Sequence, residues 1–170
     1  MVAVAEWKIY TSGGAEHPSS GSASNINLLA QDIYDSTGTE YTQNPIPVPE
    51  TGTNYSFERW IRIRYDGAFN LVENIKMWLE SWTPSDSNLD IKAGVTETFS
   101  DPVNTASSVA TNTSADWTGV ANALDLTPSG GITSSPGYSK YFVMQLVVPS
   151  TVTIPGNMGT AIVKIQYDES

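Results

Sequence analysis

The sequence predicts an all-β fold, a single β-sandwich spanning residues 1–170, and three observations carry that expectation. Charged residues make up only 15% of the chain, and the polar remainder is mostly Ser, Thr, Asn, Gly and Gln. That composition suits strands and turns, whereas helices favour Ala, Leu, Glu and Lys. Apolar and polar residues alternate with period two in several long segments, and Gly-, Pro- and Ser-rich stretches separate them. Four Phe, five Trp and eight Tyr supply apolar area to bury, which a disordered composition lacks.

The elements follow in order. Residues 2–10, VAVAEWKIY, read as a first strand, and the SGGAEHPSSGSAS stretch after them as an exposed loop. Residues 25–33, NINLLAQDI, suit a strand or a short helix, with strand preferred. The segment 43–54, QNPIPVPETGTN, has Pro45, Pro47 and Pro49 at alternate positions, so it cannot join a central ladder and reads as an extended or edge connection. Residues 55–65, YSFERWIRIRY, alternate clearly. Phe57, Arg59, Ile61, Ile63 and Tyr65 share one face and Glu58, Trp60, Arg62 and Arg64 the other, with Asp66-Gly67 as the closing turn.

Residues 69–82 alternate again, Ile75, Met77 and Leu79 against Lys76, Trp78 and Glu80. Residues 89–95 do the same, and TPSDSN between them predicts a hairpin. From 98 to 137 the chain reads as loops with short strands around 108–113 and 121–126. Residues 138–148 and 159–167 are long strands, expected to form a closing hairpin through PSTVTIPGNM. About eight strands without a convincing helix predict a sandwich with long Ser/Thr/Gly/Pro loops, jelly-roll-like or alternatively immunoglobulin-like.

Charge and motif content narrow the function. The net charge is −10, which repels phosphate and anionic lipid, so neither nucleic acid nor a membrane is an expected partner. Arg59, Arg62 and Arg64 in FERWIRIR form at most a local cationic stripe. The chain has no cysteine, excluding disulfides and thiolate metal sites. MVAVAEWKIY lacks the basic region of a signal peptide, and no run approaches the roughly 18 apolar residues of a membrane span. Synthesis in a cytoplasm is therefore expected.

No enzyme, cofactor or metal site is expected. His17 is the only histidine and lies in a Gly/Ser loop, where a solvated role is commoner than a catalytic one. An acid pair can suffice for glycoside hydrolysis. Glu58 and Glu80, beside Trp60 and Trp78, are the one pair whose alternation suggests a shared face. Asp86, Asn88, Asp90 and Glu97 have the spacing of a calcium loop, but Ile91 occupies the position that needs Gly and 89–95 reads as a strand. The tryptophans Trp7, Trp60, Trp78, Trp82 and Trp117 are the most informative side chains. Trp60 and Trp78 share faces with charged residues, which predicts a place at the core edge or in a subunit contact in preference to sugar stacking.

Two blocks carry a resemblance. NYSFERWIRIRYDGAFNLVENIKMWLES and YFVMQLVVPSTVTIPGNMGTAIVKIQYDES resemble segments of small β-rich virion proteins of tailed bacteriophages, the second resembling their closing hairpin and acidic tail. The resemblance implies a capsid decoration or minor capsid protein on the outer surface of the particle. Its partners would be the major capsid protein or other virion subunits, its location the virion, and its assembled state a homo-oligomer. The candidate contacts, read from the residues themselves, are Arg59, Trp60, Arg62, Arg64, Trp78, Trp82 and the arm Pro45, Pro47, Pro49. A carbohydrate- or receptor-binding module of a tail fibre or baseplate is the alternative.

Overall fold

A computed structural model describes residues 2–154 and 158–170. Its strands are β1 (Ala3–Thr11), β2 (Ala15–His17), β3 (Thr53–Tyr55), β4 (Arg59–Gly67), β5 (Val72–Trp82), β6 (Asp90–Thr96), β7 (Leu124–Asp125), β8 (Gly137–Tyr138), β9 (Tyr141–Pro149) and β10 (Ala161–Glu169). They form two antiparallel sheets. The larger one runs β2-β1-β4-β9-β3, with β6 also on β9 and β8 on β4, and the smaller one runs β10-β5-β7. The chain is an all-β sandwich, as its alternation predicts.

In the large sheet, β3 with β4 and β8 with β9 are two long strands, each interrupted once. Tyr55 faces Val147 and Arg59 faces Met144, so the first strand takes four steps while its neighbour takes three. Ile61 faces Phe142 and Arg64 faces Tyr138, the reverse imbalance, which restores the register. A one-residue slip would turn every core side chain outward, so the two bulges must compensate. A buried serine sits at each. The Ser56 hydroxyl accepts the Leu146 N–H at 3.0 Å, and the Ser139 hydroxyl accepts the Ile63 N–H at 3.0 Å while donating to the Lys140 carbonyl at 2.7 Å. Both serines are fully buried.

The main core lies between the sheets. Ile61, Ile63 and Tyr65 of β4, Ile91 and Ala93 of β6, and Phe142, Met144 and Leu146 of β9 pack with Val72, Ile75, Met77 and Leu79 of β5. A second apolar cluster lies on the outer face of the large sheet, where Tyr10, Trp60, Tyr141 and Val143 are covered by Phe99, Val109 and Ala110. The strap 97–112 that covers it is tied down by Gln145, whose side-chain amide donates to the carbonyls of Ser56, Val103 and Thr105 and accepts the Ser107 N–H. Gly94 permits the crossing: a Cβ there would lie 1.8 Å from the Val109 carbonyl oxygen.

Several expectations are corrected. Residues 25–33 form no strand, because their carbonyls serve other groups: those of Asn27 and Ile33 accept from the Arg59 guanidinium and that of Leu29 from the Phe57 N–H. The loop after β1 holds a short strand, β2, which pairs back on β1. Neither expected hairpin forms. β5 pairs with β10, and β6 pairs with β9, so the connections 83–89 and 150–160 both cross between the sheets. Each connection is long enough to span the roughly 10 Å between packed sheets.

The bulge serines give a stability test. Ser56→Ala and Ser139→Ala each leave a buried backbone N–H unpaired, and each should destabilise the protein by about 1–3 kcal/mol. Urea unfolding with an unchanged slope and a lowered midpoint is the expected readout.

Candidate functional site

An apolar groove lies between the smaller sheet and the irregular segment 23–48. The large sheet supplies Ile91, Met144, Leu146 and Val148 from its inner face; the irregular segment supplies Ile26, Leu28, Ile46 and Val48; β10 supplies Ala161, Ile162 and Val163. None of its lining residues is charged, in a chain of net charge −10. Eight large apolar side chains are exposed among the described residues, and four of them (Tyr41, Val48, Ile154 and Ile162) line this groove. Clustered exposed apolar surface is the feature that separates an interaction site from scattered surface leucines and valines.

Local polar groups set the groove walls. The Asp35 carboxylate, buried, accepts from Asn27 Nδ2 at 2.7 Å and from the N–H groups of Gly38, Thr39 and Glu40 at 2.6, 3.1 and 3.1 Å. Burial pushes this carboxyl up, but those donors outweigh it and hold it below its ordinary value. The bonds start the helical turn Glu40–Gln43, which delivers the chain to the proline arm. The arm itself is anchored by few bonds: the Asn44 carbonyl accepts the Ala30 N–H, and the Pro47 carbonyl accepts from Asn54 Nδ2. Pro45 and Pro47 are exposed and line the groove, and Pro49 is half-buried.

The opposite wall depends on Asp86. Its buried carboxylate accepts from the Asn88 N–H and side-chain amide at 2.9 and 2.8 Å, from the Thr153 N–H at 2.8 Å and hydroxyl at 3.1 Å, and from the Ile154 N–H at 3.2 Å. The N–H groups of Asn88 and Thr153 hold the carboxyl far below the ordinary carboxylate range. One side chain thus joins both crossing connections and presents Ile154 at the groove. The connections also touch where Trp82 Nε1 donates to the Met158 carbonyl at 3.1 Å. At Gly159 (φ +86°) a Cβ would lie 2.2 Å from the Thr83 carbonyl oxygen.

The expected contact residues are scattered. Arg59 is 1% exposed and faces inward, with Nε and Nη1 on the carbonyls of Asn27 and Ile33 at 3.0 and 2.9 Å. Burial pulls its pKa down to about 10, with Asp32 and Asp35 resisting. Trp60 is wholly buried in the second cluster and donates to Glu58 at 2.8 Å. Neither residue reaches the surface, which corrects both as contact candidates: alternation placed them on two faces, and both faces are covered.

Arg62 lies over the rings of Tyr138 and Tyr141, 4.9 and 4.5 Å from their centroids, and donates to the Ser139 carbonyl. Arg64 pairs with Glu6 at 2.8 Å and Asp66 at 2.7 Å. The neighbouring Lys8 is fully buried, with its ammonium 2.6 Å from the Gly21 carbonyl, 3.1 Å from that of Pro18 and 3.2 Å from Glu6. Burial and the adjacent Glu16 carboxylate raise the Tyr10 hydroxyl far above its ordinary value. The three arginines therefore make no cationic stripe: one is internal and another is neutralised by carboxylates.

Trp78 is buried and donates to Glu80 at 2.8 Å; Trp82 is half-buried; Trp117 is wholly buried between the sheets. Glu58 lies just before β4 of the large sheet and Glu80 in β5 of the small one, each bound to its own tryptophan, so the acid pair considered from alternation does not form. His17 stacks on Tyr34 with ring centroids 5.3 Å apart. Among the described residues no cluster of three or more His, Asp or Glu could hold a metal. The groove residues Tyr41, Val48, Ile154 and Ile162 were missed. For Tyr41, Val48 and Ile154 the one sequence signal is a large apolar residue set among Pro, Thr and Ser outside any strand; for Ile162 it is an isoleucine on the solvent face of a strand. Compared with known proteins, the chain matches no family model, no curated protein and no solved structure.

Asp86 supplies a pH test. Its carboxyl is depressed in the folded state, so its stabilisation is present above the unfolded pKa near 3.9 and is lost as pH falls towards the folded value. Asp86→Asn should lower the urea midpoint at pH 7 and flatten the loss of stability between about pH 5 and pH 2 relative to the unaltered protein.

Proposed function

We propose that this chain is a non-enzymatic structural subunit of a tailed-virus particle, a capsid decoration or minor capsid protein seated on the outer surface of the shell. The observation that carries the reading is the uncharged apolar groove with its rim of Tyr41, Val48, Ile154 and Ile162 beside the Pro45–Pro47 arm. An uncharged lining within an acidic chain fits an apolar protein surface or an extended segment of a neighbouring subunit. The acidic balance favours an outward-facing position over one against packaged genome. The partners are the major capsid protein or other virion subunits, after synthesis in the host cytoplasm.

The buried polar groups support a scaffold in preference to a reaction centre. Asp35 and Asp86 are saturated by backbone N–H groups, and Glu58 is bound to Trp60 and the Val103 N–H. Asp35 and Asp86, both held below their ordinary values, are poor proton donors at neutral pH. The receptor-module reading needs an exposed platform of several aromatic rings; Trp60, Trp78 and Trp117 are buried, Trp7 and Trp82 are half-buried, and Tyr41 is the one exposed aromatic side chain among the described residues.

Mixing with undecorated virus shells tests the proposal. Saturable uptake is expected, and Val48→Asp with Ile154→Asp should lower it by about tenfold or more, while both exposed sites leave folding intact. Absence of uptake together with binding on a glycan array would replace the shell reading with the tail-fibre or baseplate one.

A further inference from the structure

The free edge of the small sheet carries a pattern that a second copy of this chain would complete. β10 occupies one end of the β10-β5-β7 order, and among the described residues only β5 pairs with it. It has nine residues and contains no proline or glycine. Both irregularities of its pairing lie on β5. Ile162 and Val163 face Ser81 and Leu79, and Gln166 and Asp168 face Lys76 and Glu73, so β5 holds the extra residue each time. Asn74, at φ 51°, is in the second of these bulges. Among the described residues β10 is left as a regular edge without proline, bulge or a covering strand, the kind that pairs with another chain, and its only charges on the solvent face are Lys164 and Asp168.

The side chains along β10 fix the partner and the register. Its solvent face is Ile162, Lys164, Gln166 and Asp168, and its half-buried face includes Ile165 and Tyr167. If two copies pair antiparallel with Gln166 opposite Gln166, each Lys164 falls opposite the other copy's Asp168. On the inner face each Ile165 then falls opposite Tyr167, a β-branched residue against an aromatic one. Opposite charges and aromatic–β-branched pairs are the favourable cross-strand combinations. Centring one residue earlier leaves Lys164 opposite Gln166, and centring on Lys164 sets two ammonium groups face to face. Only the Gln166 register satisfies both faces.

We propose that β10 pairs antiparallel with β10 of a second copy over residues 164–168, about a two-fold axis between the two Gln166 residues, joining the small sheets of two chains into one. Lys164 keeps its 2.8 Å pair with Glu80 and gains the second copy's Asp168 on its other side. The pairing uses the half of β10 away from the groove, whose lining ends at Val163. It therefore stands apart from the shell-binding reading, and it is measured without shells.

The absence of cysteine makes the test register-specific. Light scattering at roughly 100 μM chain, above a micromolar Kd, should give twice the 18.3 kDa chain mass. Gln166→Cys puts two thiols on facing positions about 4.5–5.5 Å apart at Cβ and should form a disulfide dimer under mild oxidation. Lys164→Cys sets its thiols about 14 Å apart and should not. Lys164→Asp and Asp168→Lys should each weaken the dimer by about tenfold, and the double exchange should restore it to within about threefold. A monomeric mass at that concentration overturns the proposal. So does a dimer in which Gln166→Cys cross-links no faster than Lys164→Cys, or in which the double exchange fails to restore association while the variants stay folded by circular dichroism.

Discussion

The position of the small sheet on the large one depends on the carboxylate of Asp86. Two connections leave one sheet for the other beside each other, 83–89 from β5 to β6 and 150–160 from β9 to β10, and Asp86 accepts N–H groups from both. Backbone donors at such a crossing have no ladder to join and would be unsatisfied on burial. A charged acceptor is suited to collect several of them, because charge-assisted bonds are stronger than neutral ones. Everything that follows in space rests on this tie. Trp82 closes on Met158, Gly159 slides beneath Thr83, Ile154 reaches the groove, and β10 takes its place at the sheet edge.

The large sheet solves a different problem, since much of it is covered on both faces. A strand buried twice has no solvent side, and β9 accordingly reads as a near-continuous apolar run broken by one polar residue, Gln145. That glutamine is wholly buried, yet its amide is satisfied by the strap it holds down. Lys8 and Arg59 follow the same rule in charged form, each folding a loop around itself by offering donors to that loop's carbonyls. The loops 18–21 and 25–35 thus owe their conformations to side chains from β1 and the edge of β4. Their own sequences carry little of the reason.

Legibility in the sequence follows from this division. Period-two alternation located β1, β4, β5, β6 and β10, because each has a face whose burial forces the pattern, and a continuous apolar run located β9. Strand order was not legible: alternation says which side is buried, and nothing in it says which neighbour is paired. Short loops between β5 and β6 and between β9 and β10 suggested hairpins, whereas the pairs formed are β5 with β10 and β6 with β9. Residues 25–33 misled for a related reason, since Leu29 is buried as a strand residue would be while its carbonyl serves Phe57. Of the site, Pro45 and Pro47 were visible as an arm. Arg59 and Trp60 looked like surface because their strand alternates, and the loop 25–35 over Arg59 and the strap 97–112 over Trp60, unreadable from local pattern, cover them.

The groove and the β10 edge, the two features proposed as contact sites, differ in the forces they would use. Met144, Leu146 and Val148 form the floor of the groove and are at most 6% exposed, so its most exposed apolar side chains are those of the rim. An apolar rim of four side chains, set in a surface of net charge −10, leaves the chain repelling its own kind at long range. The solvent face of the edge carries Lys164 and Asp168, whose charges would repel a mismatched strand and favour one register in the proposed pairing. Apolar area provides the attraction in the first case and backbone hydrogen bonds in the second. The sparse charges on β10 act chiefly to select which pairing those bonds complete.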